Sequence, residues 1–543
     1  MTNLSRTLHN VWAVARWEAT MARRTVRYWV FGLIAVLAAL VIANYYAAVT
    51  ILTARFVALS GTIALLNPKF LVNAYTTFLA AAIALLTTFL AFDFRQKEQL
   101  ARLDLVLGAR PIRTGELVAG KVLGIFIPVY AMALFALVAV AISNAIWGFG
   151  NHWGAMAATA FLQFPVAVLA LIAIAVVVGV LVRSRAVSAI VTLAVVLALL
   201  LNVFGTFGTS ITWAPLLDVF GITGVPLPSE MMGMTPMLMA VRHQVGFLLF
   251  AIGLLGLATL LYPRPREVAF PRAAVATAVV GLLVGGYLAS LIVQESLGTR
   301  RLNRRELAEQ RALVDAPRIA VTHYDLRVKL GMASGRLEGV ATMDVRNAGT
   351  APAGTLTFTL NRGLAVRSAT DQAGRPLQVE RGLSTVVVSP ASALAPGESS
   401  KLTLEYGGTF DINDAFLDSG VQLLELAGSE AQIALLGFQN AYLTGRGAVL
   451  FPETRWYPAP NVDYGWGPEG RPANFATASL SIDVPTGMVP VTQGAPSGTT
   501  VDPLAGLSRD GWRNVPLPTP EESGAGLQAP GGALRLRRAT GPG

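Results

Sequence analysis

Apolar residues form long blocks in the first half of the chain and alternate with polar ones in the second. Arg27 is followed by an uncharged run to Ala54, and another runs from Phe70 to Phe92. The uncharged stretch from Val122 to Val182 is long enough for two crossings, divided at Gly148-Phe149-Gly150-Asn151-His152-Trp153-Gly154. Further blocks cover Ala186 to about Gly205, the residues after His243 to near Tyr262, and Ala273 to Gln294. A helix needs roughly 20 apolar residues to cross a hydrocarbon core of about 30 Å. The blocks therefore predict a multi-span α-helical membrane domain of about seven spans, over residues 28–295. Ahead of it, Leu8, Val11, Trp12 and Ala15 fall at helical spacing. Residues 1–27 are read as an interfacial amphipathic helix; they lack the apolar core and cleavage site of a signal peptide.

Beyond Arg318 the period changes to two. Tyr324, Leu326, Val328 and Leu330 alternate with polar residues, as do Leu356, Phe358 and Leu360, then Leu402, Leu404 and Tyr406. Turn residues separate these runs at Gly331 to Gly335, Asn347-Ala348-Gly349, Ala373-Gly374 and Ala395-Pro396-Gly397. Short alternating strands at this spacing predict an all-β antiparallel sandwich over residues 318–495, joined by a helical connector at 296–317. The Gly-, Pro- and Ala-rich stretch from 496 to 543 has no periodic core and is expected to be disordered.

Composition agrees with a membrane protein. Charged residues make up only 14% of 543, against about 25% in soluble domains. Residues 1–299 hold 19 Lys and Arg against 9 Asp and Glu, whereas the remainder is balanced. The basic excess lies wholly in the apolar half, which fits charge-sorted loops and not a nucleic-acid binder. With the N-terminus inside, inner segments carry sixteen Lys and Arg and the outer loops three. That bias favours a cytoplasmic N-terminus, and an odd number of spans then places the β-rich half outside. Arg300, Arg301, Arg304, Arg305 and Arg311, directly after the last block, run against the trend. Cysteine is absent, so disulfides and Cys-ligated zinc are excluded.

The longest inner loop covers residues 93–121. Leu100, Leu103 and Leu107 repeat at helical spacing, Gly108 can end that helix, and Pro111 breaks the chain. Thr114 is the expected cap of the next helix. This loop, with an amphipathic leader and two spans ahead of it, resembles the permease subunits of type-two ABC exporters. In that family the loop after the second span is a coupling helix that meets the ATPase. The matching positions are Glu98, Leu107, Pro111, Arg113, Gly120 and Lys121, and Leu100, Leu103 and Leu107 would be the apolar anchors. The family usually has six spans, so a seventh would accompany an added external domain. The resemblance implies a separate ABC ATPase partner, a homodimer or a heterodimer with a second permease, and multi-pass residence in the inner (plasma) membrane.

Gly115 to Lys121 reads like the start of a phosphate-binding loop, but Val122 stands where that loop needs a hydroxyl for Mg²⁺, and no strand precedes it. No cofactor is expected. In the β-rich half, His323-Tyr324-Asp325-Leu326, Leu360-Asn361-Arg362-Gly363, Leu394-Ala395-Pro396-Gly397-Glu398, Leu404-Glu405-Tyr406-Gly407-Gly408 and Trp456-Tyr457-Pro458 resemble the N-terminal β-domain of the aminopeptidase N family of zinc peptidases. The catalytic part of that family is missing. Its H-E-x-x-H motif places two imidazoles on one helix face, whereas His9, His152, His243 and His323 are widely separated. No catalytic or metal-ligating residue is therefore assigned, and an enzyme is not expected. Two readings stand: the permease subunit of an ATP-driven exporter, or a membrane-anchored, catalytically incomplete peptidase-like module.

Overall fold

The computed structural model describes residues 3–56, 68–96, 112–147, 151, 153–203, 217–221, 237–262, 272–411, 441–445, 447–450, 454–463, 475–492, 495–502, 507–517 and 534–538. Eight helices occur among them: α1 (Asn3–Arg24), α2 (Val26–Phe56), α3 (Pro68–Ala91), α4 (Thr114–Ile146), α5 (Trp153–Leu181), α6 (Arg185–Val203), α7 (Met237–Leu261) and α8 (Arg272–Ala312). Five contain stretches long and apolar enough to cross a membrane, in α2, α4, α5, α7 and α8. Two shorter apolar helices, Tyr75–Ala91 within α3 and Arg185–Leu200 within α6, stand where the second and fifth spans were expected. Alanine-rich faces let these helices pack closely around one core that includes Ala35, Ile83, Ile125, Ala133, Ala173 and Ala251.

Glycine contacts set helix spacing at two crossings. A Cβ on Gly281 would lie 2.6 Å from the Gly253 backbone, so α7 and α8 meet without side chains between them. A Cβ on Gly124 would lie 2.4 Å from Glu18 Cβ, and one on Gly120 2.6 Å from Val14 Cβ. Helix α1 is thereby seated on α4 through Val14, Ala15 and Glu18. The expected apolar stripe of α1 is split: Ala15 is buried, while Leu8 and Trp12 remain exposed.

The connector is not a separate element. Helix α8 continues without a break from the apolar block to Ala312. It leads into β1 (Ile319–Gly331), β2 (Arg336–Asn347), β3 (Leu356–Thr359), β4 (Leu364–Asp371), β5 (Gln378–Arg381), β6 (Thr385–Ser389), β7 (Ser399–Thr409), β8 (Ala441–Thr444), β9 (Gly447–Leu450), β10 (Ala459–Pro460), β11 (Ala476–Pro485), β12 (Met488–Val491), β13 (Ala495–Asp502), β14 (Leu507–Leu517) and β15 (Leu534–Arg538). A seven-stranded sheet has the order β13-β14-β11-β1-β2-β7-β4, and two four-stranded sheets have the orders β10-β3-β6-β5 and β12-β15-β9-β8. One apolar core joins Leu326 and Leu404 of the large sheet to Phe358 and Leu450 of the small ones.

Two sequence expectations need correction. The large sheet is mixed, because β1 and β11 pair in parallel with His323 opposite Thr477. Strands distant in sequence can pair in that sense because the whole chain between them serves as the crossover. Of the stretch from 496 onward, expected to be disordered, the described residues hold most of β13 and all of β14 and β15, while 503–506, 518–533 and 539–543 lie outside the described residues. Hydrogen bonding to β11 orders β14, with Leu480 opposite Trp512, and the Gly and Pro content concealed this from composition.

Candidate functional site

Of the expected docking residues, Glu98, Leu100, Leu103, Leu107 and Pro111 lie outside the described residues. Arg113 and Lys121 lie within them. Arg113 occupies the cap position of α4, and its backbone N–H donates to Glu116 Oε2 at 3.1 Å. Thr114, the expected cap, is instead the first residue of the helix, because the Glu116 carboxylate satisfies the chain end from three residues along. The same carboxylate accepts from Thr7 Oγ1 at 2.7 Å and Asn10 Nδ2 at 2.9 Å, which ties the start of α1 to the start of α4. The residues resembling a phosphate loop lie in the first turns of α4, and from Leu117 onward their amides are committed to helix bonds. Gly120 serves the α1 crossing, and Lys121 is fully buried.

Lys121 points at the end of α3. Its ammonium donates to the Phe94 carbonyl and lies 4.0 Å from the Phe94 ring centroid. The short segment Phe92–Gln96 is held by several other helices at once. From α2, Arg27 donates to the Phe89 carbonyl at 3.1 Å and sits over the Phe92 ring. Gln96 Nε2 donates to the carbonyls of Gly179 (3.0 Å) and Val182 (2.7 Å) at the end of α5. From α6, Ser188 Oγ donates to the Phe92 carbonyl at 2.7 Å, and Arg185 pairs with Asp93 at 2.8 Å. A helix end leaves carbonyls without intrahelical partners. Here side chains from neighbouring helices supply donors, so the root of the 93–121 loop moves only if α2, α4, α5 and α6 adjust with it. Sequence reading marked Lys121 and the loop but missed Gln96, Arg185 and Ser188. Their polarity beside apolar blocks was the available signal.

A second polar cluster lies near the other ends of α5 and α7. Helix α5 widens into a π-helical turn at Thr159–Gln163, a feature that often marks functional sites. Gln163 Nε2 donates to the Gly221 carbonyl at 2.9 Å, and Thr159 Oγ1 donates to Gln163 Oε1 at 2.9 Å. Gln244 Nε2 is 3.4 Å from His243 Nδ1. Asp218, His243 and Gln244 are all buried.

A third assembly joins α8 to the β-rich half. Glu306 pairs with both Arg455 and Arg362, Arg455 Nε lies 2.6 Å from Asp463 Oδ2, and Arg362 Nε lies 2.6 Å from Asp411 Oδ2. Gln310 donates to Ser384 Oγ at 2.8 Å and accepts from the Asp463 amide at 2.8 Å. Arg455 holds φ at 52°, a left-handed conformation costly for arginine. Its fixed ion pairs hold it there. His323 Nδ1 lies 2.8 Å from Thr477 Oγ1, across the parallel strand pair. Among the described residues, no group of three or more Asp, Glu or His comes together as a metal site.

No family model matches the chain, and no curated protein does. Among solved structures, the chain is similar to an M1 zinc metallopeptidase from Deinococcus radiodurans, with 19% identity and a TM-score of 0.29 over 40% of this chain and 42% of that one. A mutant of that enzyme bound to a Tyr-ser-ala substrate matches at 20% identity over the same shares, with the same score. The chain thus spans less than half the length of these structures.

Proposed function

We propose that this chain is the permease subunit of an ATP-driven exporter of the ABC type. In this reading about seven helices cross the membrane with the N-terminus inside, and the β-rich half forms an external, peptidase-like sandwich without catalysis. A separate ATPase docks on the 93–121 loop. The observation that supports this most is the bracing of Phe92–Gln96 by α2, α4, α5 and α6. A loop that only joined two anchors would not need its root bonded to four helices. A loop that receives force from a nucleotide-driven partner does, because the displacement must reach the bundle.

The test compares a central apolar change with a rim charge. Apolar anchors carry most interface energy, with hot-spot truncations costing roughly 2 kcal/mol or more. Leu103→Asp is expected to abolish co-purification of the ATPase, while Arg102→Ala mainly alters its salt dependence. Normal membrane insertion of Leu103→Asp with ATPase retained at the wild-type level would reject the docking site. The anchored-module reading would then gain.

A further inference from the structure

Beyond Glu295, helix α8 is divided by charge. One face carries Asn303, Glu306 and Gln310, all buried and bonded to the β-rich half. The opposite face carries Arg301, Arg304, Arg305 and Arg311, all exposed. Among the described residues none of these four arginines has an ion-pair partner, since the acids of this segment, Glu306 and Glu309, are bonded to the β-rich half. Glu295, at the end of the apolar block, is paired with Arg242 of α7. An uncompensated basic stripe therefore rises directly from the end of a membrane-length helix.

We propose that Arg301, Arg304 and Arg305 bind the phosphates of anionic lipid headgroups, so that the membrane surface is the partner of this face. Distance supports that occupant. At 1.5 Å per residue, Arg301 lies about 9 Å and Arg305 about 15 Å beyond Glu295 along the axis. Headgroup layers extend roughly 5–7 Å beyond the hydrocarbon core, and arginine reaches toward them with its long stem. A basic residue near an anionic surface strengthens attachment by roughly fivefold. Arg311, about 24 Å out, lies beyond the screening length of roughly 8 Å from that layer and contributes little. The inference requires only that α8 cross the membrane, and holds for a permease or an anchor. It gives a role to three of the five arginines that run against the loop charge bias. With the opposite face bonded to Arg455, lipid contact also fixes the rotation of the β-rich half over the bilayer.

The native chain has no cysteine, so Ala308→Cys, in the centre of the basic face, takes a single fluorophore. The full chain is placed in nanodiscs of phosphatidylcholine alone, or of phosphatidylcholine with phosphatidylglycerol in equal parts. Both carry a nitroxide-headgroup lipid as quencher. Quenching should rise severalfold with phosphatidylglycerol and fall back in high salt. The combined R301Q, R304Q and R305Q variant should lose that rise, the corresponding lysine variant should keep it, and R311Q should barely change it. Equal quenching in both membranes would overturn the proposal. So would a rise that survives the glutamine variant, or no quenching in either membrane, which would mean that the face meets solvent or another protein.

Discussion

The two ends of the membrane domain are braced by different chemistry. At the Asp93 end, the contacts are mostly single side-chain donors to backbone carbonyls, from Lys121, Gln96, Ser188 and Arg27. Among the described residues the one ion pair there joins Asp93 to Arg185, which is 45% exposed. At the Glu306 end, the contacts are ion pairs that share partners, and Glu306, Arg362 and Arg455 are each less than 10% exposed. Neutral acceptors tolerate rearrangement, because a carbonyl can exchange one donor for another. A buried charge cannot lose its partner without a large desolvation cost. Apart from the buried Lys121 ammonium, the first end is therefore held by contacts that can be exchanged, whereas the second is held by charges that cannot.

The largest effect is therefore expected at Glu306. Glu306→Ala leaves Arg362 and Arg455 without their shared carboxylate. Breaking a buried pair from one side costs about 3–5 kcal/mol. The change should expose the α8–β junction to limited proteolysis and lower the unfolding temperature of the β-rich half, while leaving helix content intact. Glu306→Gln, which keeps a hydrogen-bond acceptor, should lose less. If both variants matched the wild type, the contrast between the two ends would collapse.

A smaller effect is expected at Lys121. Lys121→Met keeps the stem and removes the donor to Phe94 and the contact with its ring. Hydrogen bonds from charged groups contribute about 1.5–3 kcal/mol. The permease reading adds a functional consequence: the ATPase should still bind, but its hydrolysis should no longer respond to the permease. Loss of binding together with coupling would place Lys121 in the docking surface and not behind it.

Much of this contrast was hidden in the sequence. The apolar blocks were legible because hydrocarbon tolerates few polar side chains, and each block carries a helix in the described residues. The alternation of Tyr324, Leu326, Val328 and Leu330 was equally legible, since one face of β1 must be dry. Partners across the chain were not. Nothing local to Gln96 indicates that it reaches Gly179, and Arg455 lies 149 residues from Glu306. The parallel pairing of β1 with β11 likewise depends on closure of a long crossover. The strands beyond 495 were missed because Gly and Pro interrupt the alternating core signal in β13 and β14, and β15 is a short, charged run; their order comes from the neighbours they pair with.

The smallest effect should come from the exposed charge pairs of the β-rich half, which set the scale for the buried network. Glu338 is held below its ordinary pKa, chiefly by the hydrogen bond from Arg367 at 3.0 Å. A carboxylate depressed in the folded state stabilises above its unfolded pKa, and that stability is lost as pH falls through the lower folded value. Acidification should therefore weaken this pair in the acid range below the usual glutamate value, while neutral pH keeps it whole. Both partners are about half exposed, so water screens them and the loss should stay within about 1 kcal/mol. Glu338→Gln should lower the unfolding temperature slightly at neutral pH and flatten the acid limb of the stability profile. Salt should weaken the wild-type pair in the same way, since exposed charges are screened. A cost for Glu338→Gln as large as that for Glu306→Ala would mean that burial does not separate these two kinds of ion pair.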